Sequence, residues 1–441
     1  MSQKLFIPLY LLNKMKEKIV SAGDQVELRT SDKIWEGTVL ESYDPETILL
    51  KLSSGYNIGI KEKDILDIEV KNSKNEKQLI EKTSTTNKSL PNVAMIITGG
   101  TISSRLDPKS GGVIPTDAEE LLNIAPELKD ICNISRVEKP FMKFSENMCY
   151  KDWKKLAETV ENLLNDENIS GVIITHGTDL IHYTSSALSF MLGKLNKPVA
   201  LTYSQRSIDR GSTDAYLNLI CAAKFAVSDI AEVALVGHKD LNDEYCLAMP
   251  GAKVRKLHSS RRDAFKVVNS EPFAEISKTE FKILKSFNPR DNSLKIKADN
   301  KFEHRIAVVK ITPGQEPNIL EWYSTLGYKG TILELTGLGH VPTQDGEHNW
   351  LPTIKRLTEN GMIICGVAQT IYGRLDLNVY SSGRDLQKTG LIPLNDMLSE
   401  TAFVKLGWVL GHSSWIRDGK IEQKMLENFS GEFNDRLGFE F

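Results

Sequence analysis

An apolar run ends at two adjacent glycines and then offers a hydroxyl in Ile96–Ser104, IITGGTISS. A second apolar run, Gly171–Thr175, ends in His176-Gly177-Thr178-Asp179. Glycine lets a chain turn sharply, and backbone N–H groups at such a turn can approach a developing oxyanion. Thr101 therefore sits where a nucleophile could work, but a threonine hydroxyl is weak until a neighbouring base takes its proton. Each turn, taken singly, also has a plainer explanation: the glycines bend the chain, and Thr178 or Asp179 caps the helix that follows. Phosphate cradling is set aside, because neither turn has G-x-x-x-x-G-K-[ST] spacing and G-x-G-x-x-G is missing.

The elements that must carry these turns follow from hydrophobic periodicity. After Pro91, apolar runs alternate with helical stretches. Val93–Thr98 and Gly171–Thr175 read as buried strands, and Tyr150–Leu164 sets Trp153, Leu156, Ala157, Val160, Leu163 and Leu164 on one helix face. Such alternation predicts an α/β fold with a parallel sheet covered by helices, in which ligands bind beyond the carboxyl ends of the strands. A polar stretch from Pro272 to Glu303 interrupts the pattern. It resumes at Ile306–Ile311, Thr331–Leu335, a helix around Trp350–Leu357, Met362–Ala368 and a helix over Asn395–Leu410.

The first seventy residues differ. Ile48, Leu50, Leu52 and Tyr56, Ile58, Ile60 alternate with period 2 around Ser53-Ser54-Gly55, which predicts a small all-β barrel, with a short helix over Tyr10–Val20 before it. The predicted organisation is 1–70 β-barrel module, 71–90 polar linker, 91–285 larger α/β domain with the active site, 286–304 connecting segment and 305–441 smaller α/β domain.

Composition bounds the function. The chain has 441 residues and a net charge of −3, so as a whole it carries no electrostatic footprint for nucleic acid. Its five cysteines are scattered without a C-x-x-C pair, which argues against a disulfide framework or a zinc site and for a reducing, cytoplasmic location. No run approaches the roughly 20 apolar residues of a membrane span, so no membrane association is expected. His340 and His348 flank VPTQDGE but match no zinc spacing, and no metal is expected. His176 reads as a hydrogen-bonded structural group. The basic cluster Lys253, Arg255, Lys256, Arg261 and Arg262 reads as a solvated face.

Taken together and in order, T-G-G-T-I, FSENM (Phe144–Met148), H-G-T-D and the lysine closing KLHSSRRDAFK resemble the L-asparaginase/glutaminase family of threonine amidohydrolases. The resemblance runs from about Pro91 to the C-terminus and implies a two-domain asparaginase-like core. It also implies Thr101 as the nucleophile on a side-chain amide, with Thr178, Asp179 and Lys266 as the second half of the apparatus, Lys266 acting as base and Asp179 holding it by charge. Ser145, Glu146, Gly100 and Gly177 would bind substrate, Ser145 and Glu146 at its α-carboxylate and α-amino ends. Family members commonly carry a tyrosine in the loop after T-G-G-T-I. Here Ser103–Pro115 has none, with Val113 where G-Y-I-P is expected, which predicts an enzyme that waits for a partner or a loaded tRNA.

Adding the N-terminal module, the layout is similar to the asparaginase-like subunits of archaeal tRNA-dependent amidotransferases. That implies a glutaminase, taking glutamine and needing no cofactor of its own. It would form a homodimer core and feed ammonia to a partner amidotransferase of the E type, in a heterotetramer with two copies of each chain. ATP and Mg would be used by the partner, and tRNA(Gln) would be held mainly by it. The alternatives are a free-standing L-asparaginase, or a binding module that kept the fold and lost activity.

Overall fold

A computed structural model describes residues 20–40, 42, 44–52, 57–72, 89–106, 113–115, 125–208 and 210–436. The chain forms two compact units. In the first, the alternating runs become strands Gln25–Thr30, Ile34–Leu40, Thr47–Leu52, Asn57–Lys61 and Ile65–Asn72. They pair antiparallel in the spatial order fourth, third, second, first, fifth. Side chains alternate across a strand, and accordingly Val26, Leu28, Val39, Leu50 and Ile60 gather on one buried face. Of the expected N-terminal helix only Val20 is described. The Ser53-Ser54-Gly55 turn and most of the linker also lie outside the described residues.

The second unit holds an eight-stranded sheet in the order Phe281–Ile283, Ala274–Ser277, Tyr245–Pro250, Val233–His238, Val199–Thr202, Gly171–Thr175, Asn92–Ile97 and Asn133–Glu138. Its last five members run parallel. The first three are antiparallel, so the parallel sheet expected from the sequence is extended at one edge into a mixed one. The reason lies in the connections. Only residues 239–244 link Val233–His238 to the next strand, too few for the crossover that a parallel neighbour requires. The polar stretch after Pro272 likewise supplies two strands, the second of them at the sheet edge, rather than a simple interruption.

A second, parallel sheet follows: Ile306–Lys310, Gly330–Leu335, Ile363–Ala368 and Ile392–Pro393. Between the two sheets, helix Ile181–Leu192 meets helix Ser399–Leu410, and both are buried along nearly their whole length, as expected for helices apolar on most sides. Small hydroxyl residues let them approach: Ser186 Oγ and Thr401 Oγ1 lie 3.1 Å apart, and Phe190 stacks on Trp408 at 5.8 Å.

Two fully buried ion pairs tie late residues to this packing. Lys253 meets Asp396 at 2.6 Å and Lys405 meets Glu432 at 2.6 Å. Lys253 was expected on a solvated face. It lies at 0 % exposure instead, because Asp396 neutralises its charge inside the protein. Removing one member of such a pair leaves an uncompensated charge, so Glu432→Ala should cost about 3–5 kcal/mol, read as a lower denaturant midpoint with an unchanged slope.

Candidate active site

The site starts where two parallel strands end side by side. The Thr98 N–H and Oγ1 both donate to the Thr175 carbonyl, at 3.2 and 2.8 Å, which staples the end of Asn92–Ile97 to the end of Gly171–Thr175. Beyond the staple the chain turns left-handed, with φ of +114° at Gly99 and +83° at Gly100. A Cβ on Gly100 would lie 2.4 Å from Gly177 Cα, and one on Gly99 would lie 2.4 Å from the Lys143 carbonyl oxygen. Two backbones thus touch where only glycine fits. Thr101 and Thr178, each one residue further on, emerge beside this contact. Thr101 opens a single 3-10 turn, Thr101–Ser103, and is half-buried.

The loop Phe144–Met148 is held from both sides. Asp152 accepts from the Cys149 N–H at 2.9 Å and from Lys143 Nζ at 2.7 Å, closing the start of helix Tyr150–Leu164. Burial works to raise the Asp152 pKa, but these bonds outweigh it and hold the carboxyl below its ordinary value. Ser145 is buried, and its Oγ accepts the N–H groups of Asp179 and Leu180 at 3.1 and 3.3 Å. Its own O–H has no acceptor among the described residues, which leaves one donor for a ligand carboxylate. Gly177 is needed here as well, since a Cβ would lie 2.9 Å from Ser145 Oγ. Glu146 is exposed on the same turn, Ser145–Asn147.

The base predicted at Lys266 is not the lysine that arrives. Lys256 Nζ donates to Thr178 Oγ1 at 2.9 Å and to Asp179 Oδ1 at 2.7 Å. Its side chain is 10 % exposed, while that of Asp179 is 62 % exposed. Lys266 instead donates to the Lys239 carbonyl at 2.8 Å and to Asp263 at 2.9 Å, with 36 % of its side chain exposed. The cause is the register of the hairpin Val254–Lys256/Phe265–Val267. It pairs Lys256 with Phe265 and Lys266 with Arg255, so the two lysines leave on opposite faces.

The sequence carried little warning of this. Lys266 has Ala264 and Val268 two residues to either side and looks the better placed for a buried face, and an eight-residue connection, 257–264, gives no turn signature from which to read the register. Lys256 itself belonged to the cluster read as a solvated face, and that assignment is corrected here. Among the described residues, no group of three or more His, Cys, Asp or Glu side chains converges as metal ligands.

Two histidines lie under the site without carrying charge into it. His176 Nδ1 lies 2.8 Å from the Gly177 carbonyl, which can only accept. Nε2 must then accept from Thr184 Oγ1 at 2.9 Å, and Thr184 accepts from Trp153 Nε1 at 3.1 Å. Burial pulls its pKa down to about 4, so it is a neutral structural group of fixed tautomer. His182 packs against Phe265, the cross-strand neighbour of Lys256, with ring centroids 6.3 Å apart. Burial, reinforced by Arg255 and Lys256, takes its pKa down to about 3.

The comparisons with known proteins agree with this geometry. Residues 92–288 match the N-terminal asparaginase domain, 305–422 the glutaminase/asparaginase C-terminal domain, and 20–70 the GatD N-terminal domain. The thermostable L-asparaginase from Thermococcus kodakarensis superposes with a TM-score of 0.69 at 27% identity, over 78% of this chain and 100% of its own. L-asparaginase I from Vibrio cholerae gives 0.66 at 26%, over 78% and 99%. The class is therefore an asparaginase-fold chain with an additional N-terminal domain. The GatD-type subunit of glutamyl-tRNA(Gln) amidotransferase from Pyrococcus horikoshii is 43% identical over 97% of this chain and 98% of its own, and that from Methanococcus maripaludis 42% over 95% and 99%. The chain belongs to the GatD family of glutamyl-tRNA(Gln) amidotransferase subunits.

Two expected outcomes test the site. Lys256→Met should lower kcat for amide hydrolysis by about 10²–10⁴-fold, whereas Lys266→Met stays within a few-fold of the parent in the same ammonia-release assay. For His182, the folded pKa of about 3 lies below the ordinary 6.5, so its contribution to stability is complete above the unfolded value and is lost as pH falls below it. His182→Leu should make the fall in unfolding free energy from about pH 7 to about pH 5 shallower, by ~2 kcal/mol at most, measured by urea titration at each pH.

Proposed function

We infer that this chain is the glutamine-hydrolysing subunit of a glutamyl-tRNA(Gln) amidotransferase, an amidohydrolase acting within a carbon–nitrogen ligase. What carries the reading is the co-occurrence in one chain of a Thr178–Asp179–Lys256 cluster beside Thr101 and an N-terminal domain. Free-standing L-asparaginases account for 78% of the chain with their whole length. The rest goes with the full-length GatD relatives, and an asparaginase has no use for it.

In this reading Thr101 Oγ attacks the side-chain amide carbon of glutamine. Backbone N–H groups at the Gly100 turn face the developing oxyanion, and ammonia leaves as the glutamyl ester forms on Thr101. Lys256, hydrogen-bonded to Thr178, exchanges protons with the nucleophile and then with the water that cleaves the ester. Asp179 fixes Lys256 and, with Ser145 and Glu146, receives the α-amino and α-carboxylate ends of the substrate. Gly100 and Gly177 leave room for it.

The ammonia passes to a partner amidotransferase of the E type, which uses ATP and Mg to activate Glu-tRNA(Gln) and holds most of the tRNA. The working assembly is a homodimer core bearing two such partners, in the cytoplasm. Support for the homodimer comes from the carboxyl end of the smaller sheet, where the exposed Leu338 and Tyr380 line an open cavity of ≈ 420 Å³ and Ile371 and Tyr372 are exposed as well. Among the described residues no helix is long and apolar enough to cross a membrane.

The test is ammonia release from glutamine and from asparagine by the purified chain, alone and with the partner amidotransferase and Glu-tRNA(Gln). Release should favour glutamine, rise on both additions, and fall on the order of 10³-fold or more in Thr101→Val. Fast asparagine hydrolysis indifferent to both additions would return the free-standing asparaginase.

A further inference from the structure

Arg255 and Lys256 are neighbours on one short strand, so their side chains leave on opposite faces. Lys256 goes to Thr178 and Asp179. Arg255 goes the other way, its Nε 3.1 Å from Glu400 Oε1 in the first turn of helix Ser399–Leu410. Two residues earlier, in the turn that leads into the strand, Lys253 meets Asp396 at 2.6 Å. Asp396 is in turn fixed by the Asn434 N–H at 3.1 Å and Asn434 Nδ2 at 2.7 Å. The strand that presents Lys256 and the turn that leads into it are thus both anchored to one five-residue segment, 396–400, of the smaller domain.

Glu400 is a costly residue for that position. It is buried, and its Oε2 has no hydrogen-bond partner among the described residues. Burial raises its pKa and Arg255 opposes the rise. An apolar side chain of similar size would pack there more favourably. What a charge pair provides in exchange is a fixed distance and direction for the Arg255 backbone.

The adjacent residue needs that precision. The stem of Lys256 is flexible, and its bonds of 2.9 and 2.7 Å to Thr178 and Asp179 do not survive a shift of about 1 Å in the strand, a misplacement that can cost about 10²-fold in rate. We propose that Glu400 is a positioning residue for amide hydrolysis: acting through Arg255, it holds the strand that keeps Lys256 against Thr178. The proposal rests on Lys256 belonging to the amidohydrolase site.

The test compares the full chain with Glu400→Gln, Arg255→Met and Arg255→Lys by two readouts. The first is the rate at which a trace of acetic anhydride acylates Lys256, measured by mass spectrometry against Lys239, whose side chain is 44 % exposed. The second is glutamine hydrolysis. In Glu400→Gln and Arg255→Met, Lys256 acylation should rise about ten-fold and kcat fall about ten-fold, with KM within about two-fold, while Arg255→Lys recovers most of both.

Unchanged Lys256 acylation in the folded variants overturns the proposal, as does a loss of kcat that only follows the loss of folded protein. Arg255, with 28 % of its side chain exposed, decides the matter if Glu400→Gln does not fold. Acylation needs no turnover. A parent chain that releases no ammonia even with the partner amidotransferase and Glu-tRNA(Gln) present would therefore remove the functional reading, while the acylation result still tests the clamp.

Discussion

Everything at the site depends on one steric fact: the backbones at Gly100 and Gly177 approach so closely that Gly100 cannot carry a side chain, while a Cβ on Gly177 would press into Ser145. Parallel strands from distant parts of the chain come together by sheet pairing, but pairing alone leaves their terminal loops free to diverge. The double donation from Thr98 to the Thr175 carbonyl closes that gap. The glycines then let two hydroxyl-bearing turns share one point in space. A third loop, Phe144–Met148, is drawn into the same contact because Ser145 satisfies the backbone donors of the turn that follows Gly177.

The polar groups under the site are arranged to stay uncharged or paired. His176 has both ring nitrogens committed through a chain that ends at the Trp153 indole, so it can neither rotate nor act as a base. Lys256 is the cation that meets the second hydroxyl, and a carboxylate meets it in turn. Burial lowers the proton affinity of both histidines beneath it, which keeps added positive charge away from the Lys256 ammonium.

Much of this was legible in the sequence, and the limits follow from physics. Periodicity located Gly171–Thr175 to the residue, together with all six apolar face residues of helix Tyr150–Leu164, because burial on one face writes itself into spacing. The glycines of the motifs marked where two loops meet, because close backbone approach demands glycine, and Thr101 and Thr178 follow those glycines directly. Strand direction was lost at Tyr245–Pro250, where the length of the connection rather than the apolar run decides it. Lys256 was lost for a related reason. Which of two lysines on a hairpin faces a cleft depends on a register set across an irregular eight-residue loop, and nothing local encodes that.

The pairs Lys253–Asp396 and Lys405–Glu432 span 143 and 27 residues of chain, and this separation has a consequence for synthesis. Chains emerge from the ribosome N-terminus first, and domains tend to fold as they appear. A nascent chain that has released its first sheet can already bring the Thr101 and Thr178 turns together, yet the strand bearing Lys256 lacks its contacts with residues 396–400 until these arrive, and Asn434 completes their anchoring only near the end. A truncated product would keep the turns at Thr101 and Thr178 without the contacts that anchor the strand bearing Lys256.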